Sequence, residues 1–497
     1  MKKALCILFA LLMIFSGCSF ENESEMIESD AVLGGLSSES SAVEEIPEEQ
    51  ESSSSSDSSA ETASSETSSE ENTESSSSSS SSSKAESSSS SSSSEISSES
   101  SSSEESSESS SKEQEESSSV SSSEPSNQTA APVSETRAVW ISYLEYQSIL
   151  QGKTEKQFTN NIKAMFENLA SDGFNTVFVH VRSHSDAMYD SDIFPWSVYC
   201  TGTEGENPGF DPLEIMVREA HSAGLKIEAW INPYRIKGNS NTSKIASDSP
   251  AYKWLNTDKV IVLDNGIYYN PADRDVINLI VSGVEEIVRK YDVDGIHFDD
   301  YFYPTTAESF DKNHYSEYKK SGGNLSLSAW RRQNVNTLIK EVYSAIKSID
   351  SSCRFGISPA GNTDKNYNER YCDVYTWVTS AGYVDYICPQ IYFGFNNKTR
   401  PYLDVLEEFS SMITRNDVEL IVGLAAYKCG ASDNFAGESG KNEWIEINDI
   451  LSRQITAARN ENKYAGFALY RYDSIYNPAS SVKNAVKAEL DALRNLM

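Results

Sequence analysis

The chain has 497 residues and a formal charge of -34 at pH 7. Between Glu21 and Glu135 there are 28 acidic residues but only two lysines, so this one segment holds most of the negative charge. Such a balance argues against binding to the phosphate backbone of nucleic acids.

The first twenty residues, MKKALCILFALLMIFSGCSF, place two lysines before an apolar run that is too short to span a membrane comfortably. The run ends in Ser-Gly-Cys, which resembles the signal of bacterial lipoproteins. The resemblance implies that residues 1–17 are removed and that Cys18 becomes the lipidated N-terminus. An ordinary cleaved signal with an incidental cysteine is the alternative. With lipidation, we expect the protein on the extracellular face of the bacterial cell membrane, held there by its lipid anchor.

Residues 18–135 form a spacer that consists mainly of Ser and Glu. A segment with so few large apolar residues cannot bury enough surface to offset the ordering of its chain, so we expect it to be disordered. As a coil of about 115 residues it would span roughly 60 Å, and repulsion between its charges should extend it further. The spacer either lifts a folded domain off a surface or is passive filler.

Residues 136–497 have the composition of a globular domain, in which short β-branched and aromatic runs alternate with helical patterns. The runs interpreted as strands are 137–144, 176–183, 226–233, 295–302, 354–361, 385–392, 420–428 and 466–473. Eight alternating units indicate an α/β fold, the (β/α)8 TIM barrel, whose active sites lie at the C-terminal ends of the strands. A doubly wound open sheet is the alternative, although no Gly-rich phosphate-binding motif opens the first unit.

Side chains of a barrel strand alternate between the helices and the interior. In the fourth strand Ile296 and Phe298 are apolar and should face the helices, so Asp299 should point inward at the open end. The same reasoning on the second strand predicts that Arg182 points inward. The other side chains expected inside are Phe178, His180, Glu228, Trp230, Asn232, His297, Cys388, Gln390, Tyr392, Ala468, Tyr470 and Tyr472.

An isolated carboxylate inside the barrel would cost several kcal/mol unless it is paired or protonated. Glu228 and His180 lie low in the barrel, and a structural hydrogen-bond network is the preferred interpretation for them. Asp299 and Arg182 lie at the strand tips, where barrel geometry delivers side chains to the open end. A functional role is therefore preferred for these two residues.

The segment DGIHFDDYFYP, residues 294–304, sets two carboxylates next to each other at a strand end. Glycoside hydrolysis requires one carboxylic acid and a second group that acts as base or nucleophile. Asp299 and Asp300 are the candidate catalytic residues, with Asp186 and Asp473 in reserve for the second role. Substrate-assisted hydrolysis of an N-acetyl sugar, in which one carboxylate orients the acetamido group, fits equally well. In a structural alternative, one of the two aspartates only caps the following turn.

The segments that follow four of the strands are rich in residue types that bind sugars. Flat aromatic rings stack on sugar rings, and Arg, Asn, Gln and carboxylates bind hydroxyl groups. Aromatic side chains on strands more often belong to a core, so the signal is their concentration just after strand ends. The candidate substrate-binding residues are Arg182, Asp186, Trp196, Trp230, Asn232, Tyr234, Tyr301, Tyr303, Gln390, Tyr392, Tyr470 and Asp473.

Five cysteines follow Cys18, an odd number without any CxxC pair. Neither a disulfide framework nor a zinc site is indicated, and buried free thiols are expected. Three histidines, at positions 180, 184 and 297, and Asp186 keep a catalytic metal open as an alternative. We predict that the protein uses no metal and no cofactor.

Five motifs occur in order along the domain: RAVWISY, GFNTVFVHVRSHSDAMYDSDIFPWS, DPLEIMVREAHSAGLKIEAWINPYR, YYNPADRDV and DGIHFDDYFYP. Together with GISPAGN, DYICPQIYF and GLAAYK they resemble the glycosyl hydrolase-like 10 family of bacterial barrel proteins, over roughly residues 137–475. The resemblance implies a TIM barrel with glycosidase activity and suggests bacterial cell-wall glycan as the substrate. The strand-four acids of the family fall on Asp299 and Asp300, and its strand-two arginine falls on Arg182.

The sequence therefore predicts a surface-anchored glycoside hydrolase that cleaves the O-glycosidic bonds of a polymeric glycan, with peptidoglycan as the leading suggestion. The alternatives are a non-catalytic glycan-binding barrel lipoprotein and a metal-dependent polysaccharide deacetylase. The surroundings of Asp299 distinguish them, because hydrolysis by two carboxylates needs a second carboxyl nearby and deacetylation needs a cluster of His and Asp. The expected partners are the glycan and the membrane, with no nucleic acid.

Overall fold

The computed structural model describes residues 135–497; the signal, Cys18 and nearly all of the Ser/Glu spacer lie outside the described residues. Eight parallel strands close into a barrel, because β1 pairs with both β2 and β11. In chain order the barrel strands are β1 (Thr136–Ile141), β2 (Thr176–Arg182), β3 (Lys226–Ile231), β7 (Gly295–Phe298), β8 (Arg354–Ile357), β9 (Tyr386–Ile387), β10 (Glu419–Leu424) and β11 (Tyr464–Leu469). The (β/α)8 architecture predicted from the sequence is confirmed.

A small antiparallel sheet interrupts the third unit. Its strands are β4 (Arg235–Lys237), β5 (Val260–Leu263) and β6 (Gly266–Tyr269), in the order β4-β6-β5. The sheet follows β3 directly, so it stands over the C-terminal end of the barrel strands. The sequence pattern did not predict it.

Helices cover the outside of the barrel. They are α1 (Tyr143–Ile149), α2 (Glu155–Ser171), α3 (Val198–Thr201), α4 (Pro212–Ser222), α5 (Pro250–Lys253), α6 (Arg274–Lys290), α7 (Lys312–Lys320), α8 (Leu327–Ile349), α9 (Thr363–Asn368), α10 (Val374–Thr379), α11 (Tyr402–Met412), α12 (Gly437–Gly440), α13 (Glu443–Glu446), α14 (Ile450–Ala458), α15 (Tyr472–Tyr476) and α16 (Lys483–Leu496). In the described part of the chain, no helix combines the length and the apolar character needed to cross a membrane.

Helix α6 shows why such segments are helical and dock on the barrel. Asp273 caps its first turn, because the side chain accepts hydrogen bonds from the N–H groups of Asp275 and Val276. Apolar residues then recur every three or four positions, which gives the helix one apolar face. The buried members of that face include Val276, Ile277, Ile280, Val284 and Ile287.

The alternation of strand side chains divides the core into two layers. The outer layer lies between strands and helices, and it contains Ile296 and Phe298 of β7. The layer inside the barrel consists of Ala138, Trp140, Phe178, Trp230, Tyr386, Cys388, Ile421 and Ala468. The five cysteines of the described region are free and buried, as predicted.

One arginine of α8, Arg331, holds the loop that follows β7 in place by several hydrogen bonds. The guanidinium of Arg331 is fully buried and donates to both carboxylate oxygens of Asp311, at 2.8 and 2.6 Å. It also donates to the carbonyl oxygens of Thr306 and Ala307 and to the hydroxyl of Tyr371. The same group lies against the rings of Tyr303 and Tyr371, 5.2 and 5.1 Å from their centroids. We call this arrangement the Arg331 clamp.

Candidate active site

Asp299 follows the last residue of β7 and points into the barrel, as the alternation of this strand predicted. Its carboxyl accepts a hydrogen bond from Trp230 Nε1 at 3.2 Å through Oδ2. The other oxygen, Oδ1, accepts from the backbone N–H of Tyr301 at 3.1 Å. The residue is only 3% exposed. Asp299 therefore accepts hydrogen bonds from two neutral donors, at the end of the barrel where TIM-barrel active sites lie.

Asp300, although adjacent in sequence, has a different environment. Its Oδ2 lies 2.7 Å from Nη1 of Arg370, and its Oδ1 accepts from Nε2 of Gln390 at 3.3 Å. The side chain is 16% exposed. Strand β7 has already ended at Phe298, so the chain can turn and bring both carboxyls to the same end of the barrel. We call Asp299 and Asp300 the carboxylate pair.

The environment of Asp299 favours its protonated form. Burial and, second, the negative charge of Asp300 raise the pKa of Asp299 well above its ordinary value. The Tyr301 N–H, the Trp230 indole and the charge of Arg235 oppose this rise. A buried carboxyl with a raised pKa keeps a proton over a range of pH in which an exposed aspartate is ionised. The geometry favours Asp299 as the carrier of that proton.

Trp230, the indole donor to Asp299, is held by a stacked histidine. The ring of His180 lies 3.6 Å from that of Trp230 between centroids, with an angle of 8° between the planes. His180 Nε2 lies 3.0 Å from Oδ1 of Asn232, which can only accept, so Nε2 carries a proton. Burial holds the pKa of His180 well below its ordinary value. A neutral imidazole therefore supports the indole that contacts the pair.

A polar chain runs through the barrel interior beneath the pair. Trp140 Nε1 donates to His297 Nε2 at 3.2 Å, so the imidazole proton resides on Nδ1, which lies 2.8 Å from the Tyr386 hydroxyl. That hydroxyl in turn donates to Oε2 of Glu228 at 2.5 Å. Burial raises the pKa of Glu228 to about 7 and lowers that of His297 to about 3. This chain is the structural network that the sequence indicated for Glu228, while His180 belongs to the support of Trp230.

The prediction that Arg182 points into the barrel was wrong. Val181 is an extra residue in the pairing of β2 with β3, so Arg182 comes opposite Ile231, which faces the helices. The guanidinium lies 4.3 Å from the ring centroid of Phe194. A Cβ on Gly283 of α6 would come within 2.3 Å of its Nη1. Arg182 thus belongs to the packing between barrel and helices, away from the carboxylate pair.

Other predicted substrate-binding residues also prove to be packing residues. Tyr234 is fully buried and lies 6.3 Å from the Phe302 ring. Tyr303 is 3% exposed and belongs to the Arg331 clamp. Trp196 is half-buried and packs on the outer core. These side chains do not meet the carboxylate pair, because each lies on loop backbone that turns it toward the helices.

A second group of predicted residues does gather around the pair. Trp230 and Gln390 hydrogen-bond to it directly, and Tyr301 supplies its backbone N–H. Tyr470 lies between the rings of Trp230 and Tyr392, 6.5 and 5.9 Å away. Tyr472, in contrast, was expected inside but packs in the outer core, because β11 ends at Leu469.

Asp473 and Asp186, the two reserve carboxyls, lie in other surroundings. Asp473 contacts Arg471 at 3.5 Å and Asn477 at 2.7 Å at the start of α15. Asp186 is 2% exposed, and burial and the charge of Glu204 raise its pKa to about 6. Neither residue shares a hydrogen-bond partner with the carboxylate pair.

A cleft of about 700 Å³ opens between the loops after β1, β2 and β3, and neither residue of the carboxylate pair lines it. Asp186 lies in its wall, and Arg235 links it to the pair, because the guanidinium is 4.9 Å from the ring centroid of Tyr301. Other lining side chains include Tyr143, His184, Tyr199 and Lys244. Within residues 135–497 no three His, Cys, Asp or Glu side chains come together as ligands for one metal ion.

Sequence reasoning missed Arg370, the ionic partner of Asp300. The residue lies between α9 and α10, in a segment without strand or helix periodicity, and no pattern in the sequence marks it. Arg235 was visible only as part of the loop after β3. Its place beside Tyr301 depends on the small sheet that begins at that residue.

A closed (β/α)8 barrel that carries two neighbouring carboxyls, one of them buried, at the C-terminal strand ends has the architecture of the barrel glycosidases. The sequence comparisons agree. The profile of the glycosyl hydrolase-like 10 family matches residues 135–439. The chain belongs to this family, and the protein is a glycosidase.

The chain is similar in sequence to two bacterial glycosyl hydrolases. The glycosyl hydrolase YngK of Bacillus subtilis (strain 168) is 33% identical over 378 residues, which cover 72% of each chain. The glycosyl hydrolase DigH of Escherichia coli (strain K12) is 34% identical over 330 residues, 62% of this chain and 74% of the relative. Among solved structures, the PgaB (BpsB) glycoside hydrolase domain from Bordetella bronchiseptica superimposes with a TM-score of 0.50 at 14% identity, over 73% of this chain and 99% of that domain. At that identity the likeness concerns the fold alone.

Proposed function

We propose that this glycosidase hydrolyses the O-glycosidic bonds of a polymeric glycan of N-acetylated sugars, with cell-wall peptidoglycan as the leading substrate, and that Asp299 is its general acid. The observation that carries the proposal is the contrast within the carboxylate pair. Asp299 is buried, accepts hydrogen bonds from two neutral N–H groups and has a raised pKa, whereas Asp300 lies 2.7 Å from the guanidinium of Arg370. One carboxyl is thus suited to donate a proton and the other to remain an anion.

The pair supports a substrate-assisted reaction. The acetamido carbonyl oxygen of the sugar attacks C1 while the bond from C1 to the glycosidic oxygen breaks, and Asp299 protonates the leaving oxygen. Asp300 accepts a hydrogen bond from the acetamido N–H and stabilises the positive charge that develops on the cyclised sugar. Water then attacks C1 and gives its proton to Asp299 while the bond from C1 to the acetamido oxygen breaks, which restores both the acid and the acetamido group. The expected product has retained anomeric configuration.

The cleft supports a substrate longer than one sugar. Its volume of about 700 Å³ is in the range of ligand sites in proteins. Arg235 lines the cleft and also lies over the ring of Tyr301, next to the pair, so a chain bound across the pair would extend toward the cleft. The tyrosines and polar side chains of its wall suit sugar rings and hydroxyl groups.

The N-terminal sequence supports a location at the cell surface. We propose that Cys18 is lipidated and that the Ser/Glu spacer lets the barrel reach a glycan outside the membrane. Both elements precede the described residues, and the support for them is the signal-like run and the composition of residues 18–135. A cell-wall glycan lies within reach of such an anchor.

The test is digestion of purified peptidoglycan by the protein, followed by mass spectrometry of the released fragments. Asp299→Asn keeps the shape of the side chain but removes its acid function, and we expect turnover to fall about 10²- to 10⁴-fold. Asp292→Asn is the matched control, because that side chain is 95% exposed on the loop before β7. It should leave turnover unchanged.

Two results would contradict the proposal. One is the release of no fragments from peptidoglycan or from other N-acetylated glycans by the unmodified protein. The other is full activity of the folded Asp299→Asn variant. If NMR of the first anomer released showed inverted configuration, the protein would still be a glycosidase, but the substrate-assisted mechanism would be refuted.

A further inference from the structure

Arg370 forms an ion pair with Asp300, one member of the carboxylate pair. Its Nη1 lies 2.7 Å from Oδ2 of Asp300, and the two side chains are 31% and 16% exposed. Partial burial reduces the screening of their attraction by water, so this contact is stronger than an exposed surface pair. Gln390 donates to the other carboxylate oxygen, but its amide carries no net charge. Of these two contacts of Asp300, the one with Arg370 is therefore the contact between opposite charges.

The backbone holds Arg370 at this place independently of the ion pair. The N–H of Arg370 donates to the Lys365 carbonyl at 3.1 Å, which closes the end of α9. The Tyr303 N–H donates to the Arg370 carbonyl at 3.4 Å, so the loop after β7 and the Arg370 loop are joined directly. Tyr371 has a φ of 57°, in the left-handed region, and its hydroxyl accepts from Arg331. The next residue along the chain is therefore tied to the Arg331 clamp.

The two carboxyls of the pair differ in what they contact. Asp299 contacts an indole N–H and a backbone N–H, and Asp300 contacts a guanidinium. We propose that Arg370 is a positioning residue that assigns the negative charge of the pair to Asp300 and thereby leaves the transferable proton on Asp299. The inference rests on the proposed function, since the assignment matters only if Asp299 is the acid. It adds a residue that never needs to touch the reacting bond.

Other charged and titratable groups face the pair as well. Arg235 acts on Asp299 from the side of β4 and is the second cation of the site. Burial raises the pKa values of Cys372 and Tyr392, which therefore stay neutral beside Asp300. Glu369 and Asp373 lie on the Arg370 segment and act on Arg370 and Cys372 respectively. Among these groups Arg370 is the cation in hydrogen-bond contact with Asp300.

Loss of the Arg370 charge should move the pH profile of activity in one definite direction. Activity needs the pair to hold one proton, so it falls at low pH, where the pair binds a second proton, and at high pH, where the pair loses its only proton. A guanidinium 2.7 Å from a carboxylate oxygen favours the ionised form of that carboxyl by direct attraction between the charges. Without that charge the pair binds its second proton at higher pH. The acidic limb of the pH profile must therefore move to higher pH.

The experiment compares Arg370→Met with Arg370→Lys, in profiles of kcat/KM and of kcat against pH on soluble peptidoglycan fragments. We expect the acidic limb of Arg370→Met to move up by 1 pH unit or more, with a 10-fold or larger loss of kcat on that limb and less than a threefold change of KM. Activity should recover as pH rises. Arg370→Lys keeps the charge and should return the limb to within about half a unit of the unmodified enzyme. A merely structural arginine would lower activity equally at every pH.

Arg332→Met is the matched control. This arginine of α8 stacks 3.8 Å from the ring centroid of Tyr367 and has no contact with the pair. Its loss should leave the profile in place. Thermal unfolding of each variant separates a change in the site from a loss of folded protein.

A second readout does not depend on activity. In protein labelled with ¹³C at the aspartate carboxyls, with signals assigned by Asp299→Asn and Asp300→Asn, the uptake of the second proton is followed directly. A shift in Arg370→Met to higher pH by 1 unit or more supports the inference, even if the unmodified protein cleaved no glycan and the proposed function failed. An unshifted titration in folded Arg370→Met overturns the inference, even if the enzyme is active on peptidoglycan.

Discussion

The replacement Glu228→Gln should change how the stability of the barrel depends on pH. Glu228 lies inside the barrel with no exposed surface, and one of its two carboxyl oxygens accepts from Tyr386 at 2.5 Å. Within the described residues the other oxygen has no hydrogen-bond partner. Burial is the main reason that its pKa rises from the ordinary value of 4.5 to about 7. The folded protein therefore favours the neutral acid, which glutamine resembles.

The size of the effect on stability follows from the rise in the pKa of Glu228. One pKa unit is equivalent to about 1.4 kcal/mol, so the rise from 4.5 to about 7 makes the ionised side chain cost about 3 kcal/mol of folding free energy. The contribution of a raised carboxyl is present below pH 4.5 and is lost as pH increases through about 7. Glutamine has no charge to acquire and should not show this loss.

The assay is urea unfolding of the unmodified protein and of Glu228→Gln at pH 4.5 and at pH 8. The difference in unfolding free energy between the two should shift by about 3 kcal/mol in favour of the variant between these pH values. Glu317→Gln, on the exposed surface of α7, is the control and should follow the unmodified protein at both pH values. If the Glu228→Gln difference stayed constant with pH, Glu228 would be ionised in the folded state and the reasoning would fail.

Two further changes test other parts of the structure. Arg331→Met removes the cation of a fully buried ion pair and should lower the unfolding free energy by about 3 to 5 kcal/mol. Arg218→Met, at a half-exposed pair, should lower it by less than about 1 kcal/mol. Similar losses for the two variants in urea titrations would contradict the importance of burial. Trp230→Phe keeps a ring but removes the N–H that lowers the pKa of Asp299, so the alkaline limb of the pH profile of activity should move to higher pH. If that limb did not move, Asp299 would not be the general acid.

The architecture could be predicted because barrel strands have a strong pattern. Ile296 and Phe298 are apolar at alternate positions, and this is enough to place Asp299 inside. The same pattern failed for Arg182, because the bulge at Val181 depends on how β2 pairs with β3, and no residue type marks it.

The candidate site was only partly visible from the sequence for a related reason. Trp230 and Gln390 lie on or directly after strands, and alternation gave their direction. Arg370 lies on a loop whose course depends on the Arg331 clamp and on a left-handed residue at Tyr371. Tyr303 has the residue type of a sugar-binding aromatic, but the clamp turns it into packing. Loop residues are placed by tertiary contacts, and these do not leave a periodic signal in the chain.

The Arg331 clamp joins two loops that the chain separates by some sixty residues. Its guanidinium bonds to the loop after β7 through Thr306, Ala307 and Asp311 and to the Arg370 loop through Tyr371. Neither loop can therefore open without breaking bonds to the other. The anion of Asp300 and the cation beside it belong to one cooperative unit, so thermal motion should carry the two charges together and preserve their separation.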